Sequence, residues 1–302
     1  MEQDSKIFAE PTTRWFKNTL GKATAVQHEA WPAIASGQHV LVSAPTGTGK
    51  TLSAFLVFID QMMTQAHMGT LDPNLPTLQL IYISPLKSLA GDIRENLYRP
   101  LTGIASEMGG ESPLTVAVRT GDTPAAERTK MAKKPPHILI TTPESLYLLL
   151  TAKSGQQMLK TAKAIIIDEL HAMLDTKRGA HLMLSLARLD VLCGRPLQRV
   201  GLSATVQPLK LAAEYLSNGD SDVQIIAPAM CKDFKIEIIN PFPGGILPEG
   251  TIWPEIAKKV VEACQESRSV IAFTGSRLMS EQLAFYINKL VGEGFAAGCC
   301  SS

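Results

Sequence analysis

Residues 44–51 read Ala-Pro-Thr-Gly-Thr-Gly-Lys-Thr and follow the apolar run His39-Val40-Leu41-Val42-Ser43. Small residues let successive backbone N–H groups curl around a phosphate, and a following helix adds partial positive charge at its N-terminus. Lys50 then reaches the β- and γ-phosphates of a nucleoside triphosphate, and the Thr51 hydroxyl is a Mg²⁺ ligand. Ala44, Thr46, Gly47, Thr48 and Gly49 form the rest of the cradle. The usual pattern opens with Gly where this chain has Ala44, but Gly47 and Gly49 still allow positive φ angles.

A second constellation reads Ile165-Ile166-Ile167-Asp168-Glu169-Leu170-His171. An apolar strand delivers adjacent carboxylates at its C-terminal end, where open α/β sheets bind ligands. Asp168 is expected to hold Mg²⁺ opposite Thr51. Glu169 is expected to orient and deprotonate the attacking water, since phosphoryl transfer is mostly positioning and electrostatics. His171, beside both carboxylates, is either an ordinary surface or core histidine or a link between the site and neighbouring loops.

These groups need a scaffold. Continuous apolar runs at Val40–Ser43, Leu78–Ser84, Leu114–Arg119, His137–Thr141, Ala164–Asp168, Arg199–Ser203, Val223–Ile226 and Ser269–Thr274 suit strands buried on both faces. Helical patterns lie between them, at 25–35, 51–65, 87–100, 124–133, 143–151, 179–192, 208–216, 255–266 and 277–290. This alternation predicts right-handed βαβ units and a doubly wound parallel sheet of the α/β class. Between Ala227 and Pro254 prolines and glycines crowd together around one short alternating stretch, Phe234–Ile239, which predicts a linker over 228–254. About forty residues follow, too few to bury a core of their own, so 255–302 is expected to open a second, incomplete domain after a first one over 1–227.

The 302 residues are 45% hydrophobic with a formal net charge of +1, an ordinary globular balance that neither favours nor excludes nucleic acid. The five cysteines (Cys193, Cys231, Cys264, Cys299 and Cys300) include no CxxC pair. Reduced thiols in a cytoplasmic protein with no disulfide partner are expected. The polar start is unlike a signal peptide, and no apolar run reaches membrane-spanning length.

The P-loop, the Asp-Glu-Leu-His box and Ser203-Ala204-Thr205, in that order, resemble a superfamily 2 helicase. Five further stretches narrow the resemblance: His28–Ile34, Ser84–Ala90, Val118–Pro124, Thr141–Leu146 and Thr176–His181. Together they resemble the large-helicase-related (Lhr) family of ATP-dependent DNA helicases, well over about 15–217 and weakly through Ile271–Arg277. The resemblance implies a RecA-like P-loop NTPase domain and the start of a second, with ATP and Mg²⁺ as cofactors. It implies movement on, or unwinding of, DNA or DNA–RNA hybrids, with single-stranded or tailed duplex nucleic acid, DNA foremost, as partner. It assigns Gln27 to the adenine edge, for which a side-chain amide offers both donor and acceptor. It assigns Ser203 and Thr205, with His171, to the coupling between nucleotide state and nucleic-acid grip. Lys87, Arg119, Thr120, Gly121, Thr142 and Glu144 match positions along the nucleic-acid track, where cations, hydroxyls and helix N-termini hold phosphates without reading bases. Thr142-Pro143-Glu144 also reads as a helix start, with Glu144 as a cap. The family's later arginine-bearing motif has no match here, and the tail 292–302 does not resemble its continuation, so the chain is expected to be C-terminally truncated. An arginine finger contributes ~10³–10⁵ in rate, so this chain by itself is expected to turn ATP over poorly. Two alternatives remain, an ATP-gated RNA clamp of the DEAD-box type and a non-enzymatic nucleotide- and nucleic-acid-binding fragment.

Overall fold

A computed structural model describes residues 7–71, 77–85, 87–204, 206–219, 222–229, 236–242, 250–265 and 270–298, without the side chains of 87–92 and 95. The chain divides into two compact units, Met1–Met230 and Cys231–Ser302.

The first unit is built on a parallel sheet in the order β3-β4-β2-β5-β6-β1-β7. Its strands are β1 (His39–Ser43), β2 (Leu80–Ile83), β3 (Val116–Arg119), β4 (Ile138–Thr141), β5 (Ala164–Ile167), β6 (Gln198–Ser203) and β7 (Val223–Ile226). Strands β2, β4 and β5 are buried at every residue, as their Ile- and Leu-rich runs suit a sheet covered on both faces. Alternation still divides each strand between two cores. Val40, Val42, Tyr82 and Ile166 join one core with residues of α1 (Glu10–Leu20), α2 (Ala25–Ala35), α3 (Lys50–His67) and α4 (Lys87–Glu107). Leu41, Ile81, Ile83, Ile165 and Ile167 join the other, with α5 (Ala125–Lys133), α6 (Pro143–Thr151), α7 (Lys153–Leu159), α8 (Lys177–Cys193) and α9 (Leu209–Ser217). Helices on both faces of a parallel sheet are the doubly wound α/β arrangement.

The helix boundaries follow local chemistry. Thr24 and Gln27 form a reciprocal capping box at the start of α2, so two otherwise orphaned N–H groups are satisfied at once. Thr142 caps α6 and Thr176 caps α8, each accepting from the N–H three residues on. Gly194, left-handed at φ 68°, ends α8.

The second unit holds α10 (Trp253–Gln265) and α11 (Arg277–Val291), which meet around Ala257, Leu283 and Ile287. One expectation fails there. Residues 270–274 are not a strand, and Phe273 is 92% exposed. A strand needs a neighbour to accept its N–H and C=O groups, and no described element of this unit supplies one. Residues 236–239, inside the stretch expected to be a linker, carry no regular structure. In the first unit, α1 and α7 were not anticipated, and α4 runs seven residues beyond the expected end at Pro100, to Glu107. No helix among the described residues is long and apolar enough to cross a membrane.

Candidate nucleotide and nucleic-acid site

Strand order decides which loops meet. The adjacent strands β5, β6 and β1 bring their C-terminal ends together, so Asp168, Ser203 and the 44–51 loop share one edge of the sheet. On the other half, β3, β4 and β2 bring up Arg119–Gly121, Thr142 and the start of α4. Asp168, after β5, lies where the two halves join.

The 44–51 loop takes the expected form. Gly47 (φ 80°) and Gly49 (φ 83°) are both left-handed, and Gly49 is the N-cap of α3. Lys50 Nζ donates to the carbonyl oxygens of Ala44 and Pro45, the latter at 2.8 Å. Ala44 N donates to Ser203 O at 3.2 Å and Ser43 Oγ to Ala204 O at 3.2 Å, which stitches the loop to the end of β6. Thr48 is buried, its hydroxyl bonded to Pro45 O. Thr46, Gly47, Gly49, Lys50, Thr51, Asp168 and Glu169 line one cavity of about 480 Å³, which extends past apolar groups of α1 and α4, including Trp15, Leu20 and Leu97.

Asp168 is 8% exposed. One carboxylate oxygen accepts from the Tyr82 hydroxyl and the other from Glu169 N at 2.9 Å. Burial, then the neighbouring Asp168 and Glu169 charges, push the Tyr82 phenol far above its ordinary range, so it stays a donor. A carboxylate has about four lone-pair sites, so Asp168 retains acceptor capacity toward the cavity. Glu169 sits at φ 47°, left-handed, and begins the one-turn 3-10 helix Leu170–Ala172. That turn brings His171 back over the sheet edge. Its Nδ1 lies 3.4 Å from Glu169 Oε2, 3.3 Å from Ser203 Oγ and 3.3 Å from Ala204 N. His171 therefore joins the acid pair to the end of β6.

Gln27 is 4% exposed, so it is no solvent-facing helix residue. Its Oε1 accepts from Thr24 N at 2.9 Å, and Thr24 Oγ1 donates to Thr48 O at 2.9 Å. The α2 cap is thus tied to the phosphate loop. Thr205 lies outside the described residues.

The loops of the other half are held from within. Arg119 is buried and donates to Thr120 O at 2.8 Å; burial, then the charge of Arg128, lowers its pKa. Thr120 N donates to Thr123 Oγ1, and Arg128 donates to Gly121 O and Thr123 O. Thr142 is 1% exposed and spent on capping. What these loops offer outward is the exposed Gly121–Asp122 segment and, at the start of α6, Glu144. Lys87 begins α4, and its side chain lies outside the described ones. Glu144 meets its own backbone N–H and the Thr142 side chain at the start of α6, as a first-turn acid should. It pairs with Arg178, Nε to Oε1 at 2.5 Å and Nη2 to Oε2 at 3.1 Å, a contact that no local sequence signal announces across 34 residues.

Cys193 and Cys264 are free thiols; Cys231, Cys299 and Cys300 lie outside the described residues. Among the described residues no group of three or more His, Cys, Asp or Glu side chains is placed to hold a metal ion. A Mg²⁺ held by Thr51, Asp168, water and phosphate oxygens fits that donor set, because Mg²⁺ keeps several waters and takes one or two carboxylates.

Residues 24–212 match the family model described as DEAD/DEAH box helicase. Among curated relatives, the chain is 43% identical over 291 residues to the Lhr helicase/probable uracil glycosylase of Mycolicibacterium smegmatis, covering 95% of this chain and 19% of that protein. It is 38% identical over 294 residues to the ATP-dependent helicase Lhr-Core of Methanocaldococcus jannaschii, covering 96% of this chain and 34% of that one. Among solved structures, the Mycobacterium smegmatis helicase Lhr bound to ssDNA and AMP-PNP superposes with a TM-score of 0.80 at 42% identity, over 94% of this chain and 36% of that one. The chain thus spans between a fifth and about a third of the length of these relatives.

Proposed function

The chain belongs to the DEAD/DEAH box helicases, with Lhr helicases among its relatives, and from that premise we propose that it is the ATP-binding part of an ATP-dependent helicase that moves on, or unwinds, DNA or DNA–RNA hybrids. One observation carries this reading: the phosphate loop, Lys50, Thr51 and the Asp168–Glu169 pair line a single cavity.

In this reading Thr46, Gly47, Thr48 and Gly49 offer backbone N–H groups to the phosphates, and Ala44 fixes the loop's root. Lys50 exchanges its carbonyl partners for β- and γ-phosphate oxygens, a short movement of a flexible stem. Thr51 and Asp168 would hold a Mg²⁺, which would supply charge neutralisation at the phosphates, and Glu169 takes the proton of the attacking water. Gln27 reads the adenine edge. His171 reports the state of Glu169 to Ser203, and Thr205 completes that link. Single-stranded DNA, which the solved Lhr relative binds, or a tailed duplex lies along Lys87, Arg119, Thr120, Gly121 and Thr142. There the Thr and Arg side chains shape the loops, and backbone amides meet phosphates. Residues 1–227 form the ATP-binding RecA-like domain, 228–254 a linker and 255–302 the opening of a second such domain. The free thiols fit a cytoplasmic protein.

The test is titration of the chain with a fluorescent ATP analogue. Lys50→Ala removes the point charge on the β- and γ-phosphates and is expected to abolish binding. Unchanged affinity would remove the assignment.

A further inference from the structure

We propose that the Glu144–Arg178 ion pair is a positioning clasp, bracing the α6 N-terminus, where the nucleic-acid backbone is placed, against the α8 N-terminus. The proposal rests on the function proposed above. It concerns two residues whose role would otherwise be read as a surface salt bridge or, for Glu144, as a nucleic-acid contact.

The geometry is two-pronged, with Nε and Nη2 of Arg178 facing the two oxygens of Glu144. Such a fork fixes direction as well as distance, which a lone ammonium cannot do. The hydrogen bond from Arg178 holds the Glu144 carboxyl below the usual carboxylate range, so the pair is charged at neutral pH.

The placement of Arg178 is the second observation. The first turn of α8 carries Lys177 and Arg178 and no acidic residue. Cations at a helix N-terminus oppose the helix dipole, so α8 gains nothing locally from them. Glu144, in the first turn of α6, suits its own helix dipole and compensates Arg178 across the gap.

The third observation is what each end is fastened to. The start of α8 is locked to the turn behind the acid pair. Ala172 N donates to Glu169 O at 2.8 Å, Met173 N to Leu170 O at 2.9 Å, and Thr176 Oγ1 to Met173 O at 2.8 Å. A Cβ on Gly179 would collide with the Met173 carbonyl and the Tyr215 hydroxyl, so the helix packs there without slack. The start of α6 continues β4, whose last residue donates from Thr141 Oγ1 to Arg119 O at 2.7 Å. The clasp thus spans from the Arg119–Thr142 loops to the segment that carries Asp168 and Glu169.

Glu144→Arg decides the matter, because simple charge and the clasp predict opposite signs. Adding a cation beside a phosphate track should tighten binding if Glu144 is only a nearby charge. If it holds the clasp, binding should weaken. Anisotropy with a labelled oligo-dT, in parallel with a fluorescent ATP analogue, reads both sites in the same protein. Glu144→Arg and Arg178→Glu are each expected to weaken oligo-dT binding about tenfold and to leave nucleotide affinity unchanged. The double swap, which restores the pair reversed, should return it to within about threefold of the parent. Arg178→Lys, which keeps charge without the fork, should fall between. Thermal melts of all variants separate loss of grip from loss of fold. Should the swaps unfold the chain, Arg178→Lys and Glu144→Gln carry the same comparison. Tighter binding by Glu144→Arg, or a double swap no better than the single variants, overturns the clasp. A parent that binds neither oligo-dT nor nucleotide overturns the function on which it rests.

Discussion

Gln27 packs against Gly49 so closely that a Cβ on the glycine would lie 2.6 Å from Gln27 Nε2. The residue proposed to read the adenine edge and the glycine that starts α3 are therefore fitted to each other before any nucleotide arrives. Gly49→Ala should suffer twice, from the φ of 83°, which costs an L-residue roughly 1–2 kcal/mol, and from the collision. We expect at least about a tenfold loss of nucleotide affinity by fluorescence titration, since 1.4 kcal/mol is a factor of ten. Adding Gln27→Ala should relieve the collision and not the backbone strain, so the melting temperature should recover in part, while nucleotide affinity stays low because the adenine contact goes with Gln27. Full recovery of the melting temperature would show that strain at Gly49 does not matter.

Glu169→Gln keeps the shape of the side chain and removes the base. Nucleotide should bind as before while hydrolysis falls by about 10²–10⁴, the range of general-base contributions. The measurement belongs in a protein with a complete second domain, by steady-state ATPase. Hydrolysis at the parent rate would remove Glu169 from the chemistry.

Tyr82 is a quieter partner of the same site. Its hydroxyl donates to Asp168 from inside the sheet, among fully buried residues. Tyr82→Phe leaves the carboxylate one donor short. A hydrogen bond to a charged group contributes about 1.5–3 kcal/mol, so urea unfolding should register a loss of that order. Mg²⁺-dependent nucleotide affinity should also change, because the freed oxygen can rotate away from Thr51.

His137 gives the fold a pH dependence. Its ring is fully buried, Nδ1 accepts from Thr115 N at 3.0 Å, and Nε2 has no partner among the described residues. Burial, then the charge of Lys134, lowers its pKa from 6.5. A base whose folded pKa is depressed binds more protons when unfolded, so the chain should lose stability as pH falls below about 6.5. His137→Asn, which offers an acceptor and no titration, should flatten the slope of melting temperature between pH 7 and 5. Comparing variant with parent cancels Asp60, whose pKa burial raises and which acts in the opposite sense. An unchanged slope would place the dependence elsewhere, with His39 the next candidate.

Much of this was legible in the sequence, for identifiable reasons. The strands of the first unit announced themselves because a sheet buried on both faces tolerates only unbroken apolar runs. The phosphate loop and the acid pair announced themselves because their chemistry allows few residue types. Helix α1 did not, since its eleven residues are mostly polar and its burial depends on Trp15, Phe16 and Thr12 meeting a core assembled from elsewhere. Helix α7 hid behind Gly155 and its short length. Residues 270–274 misled in the other direction, because apolar β-branched composition is only half of a strand and the other half is a neighbour. Within the site, the bonds from Tyr82 to Asp168 and from Arg178 to Glu144 were invisible for one reason: each joins segments that only the strand order brings together.

That strand order also says where the chain does not tolerate shortening. β7 pairs with β1 along four residues, from His39 with Val223 to Val42 with Ile226. It is short and partly exposed, and it carries no residue of the site. Yet without it the strand that launches the phosphate loop would become the rim of the sheet, its outward N–H and C=O groups open to any passing extended chain. A version cut before Val223 should keep every nucleotide ligand and still be lost, through self-association rather than through damage to its chemistry.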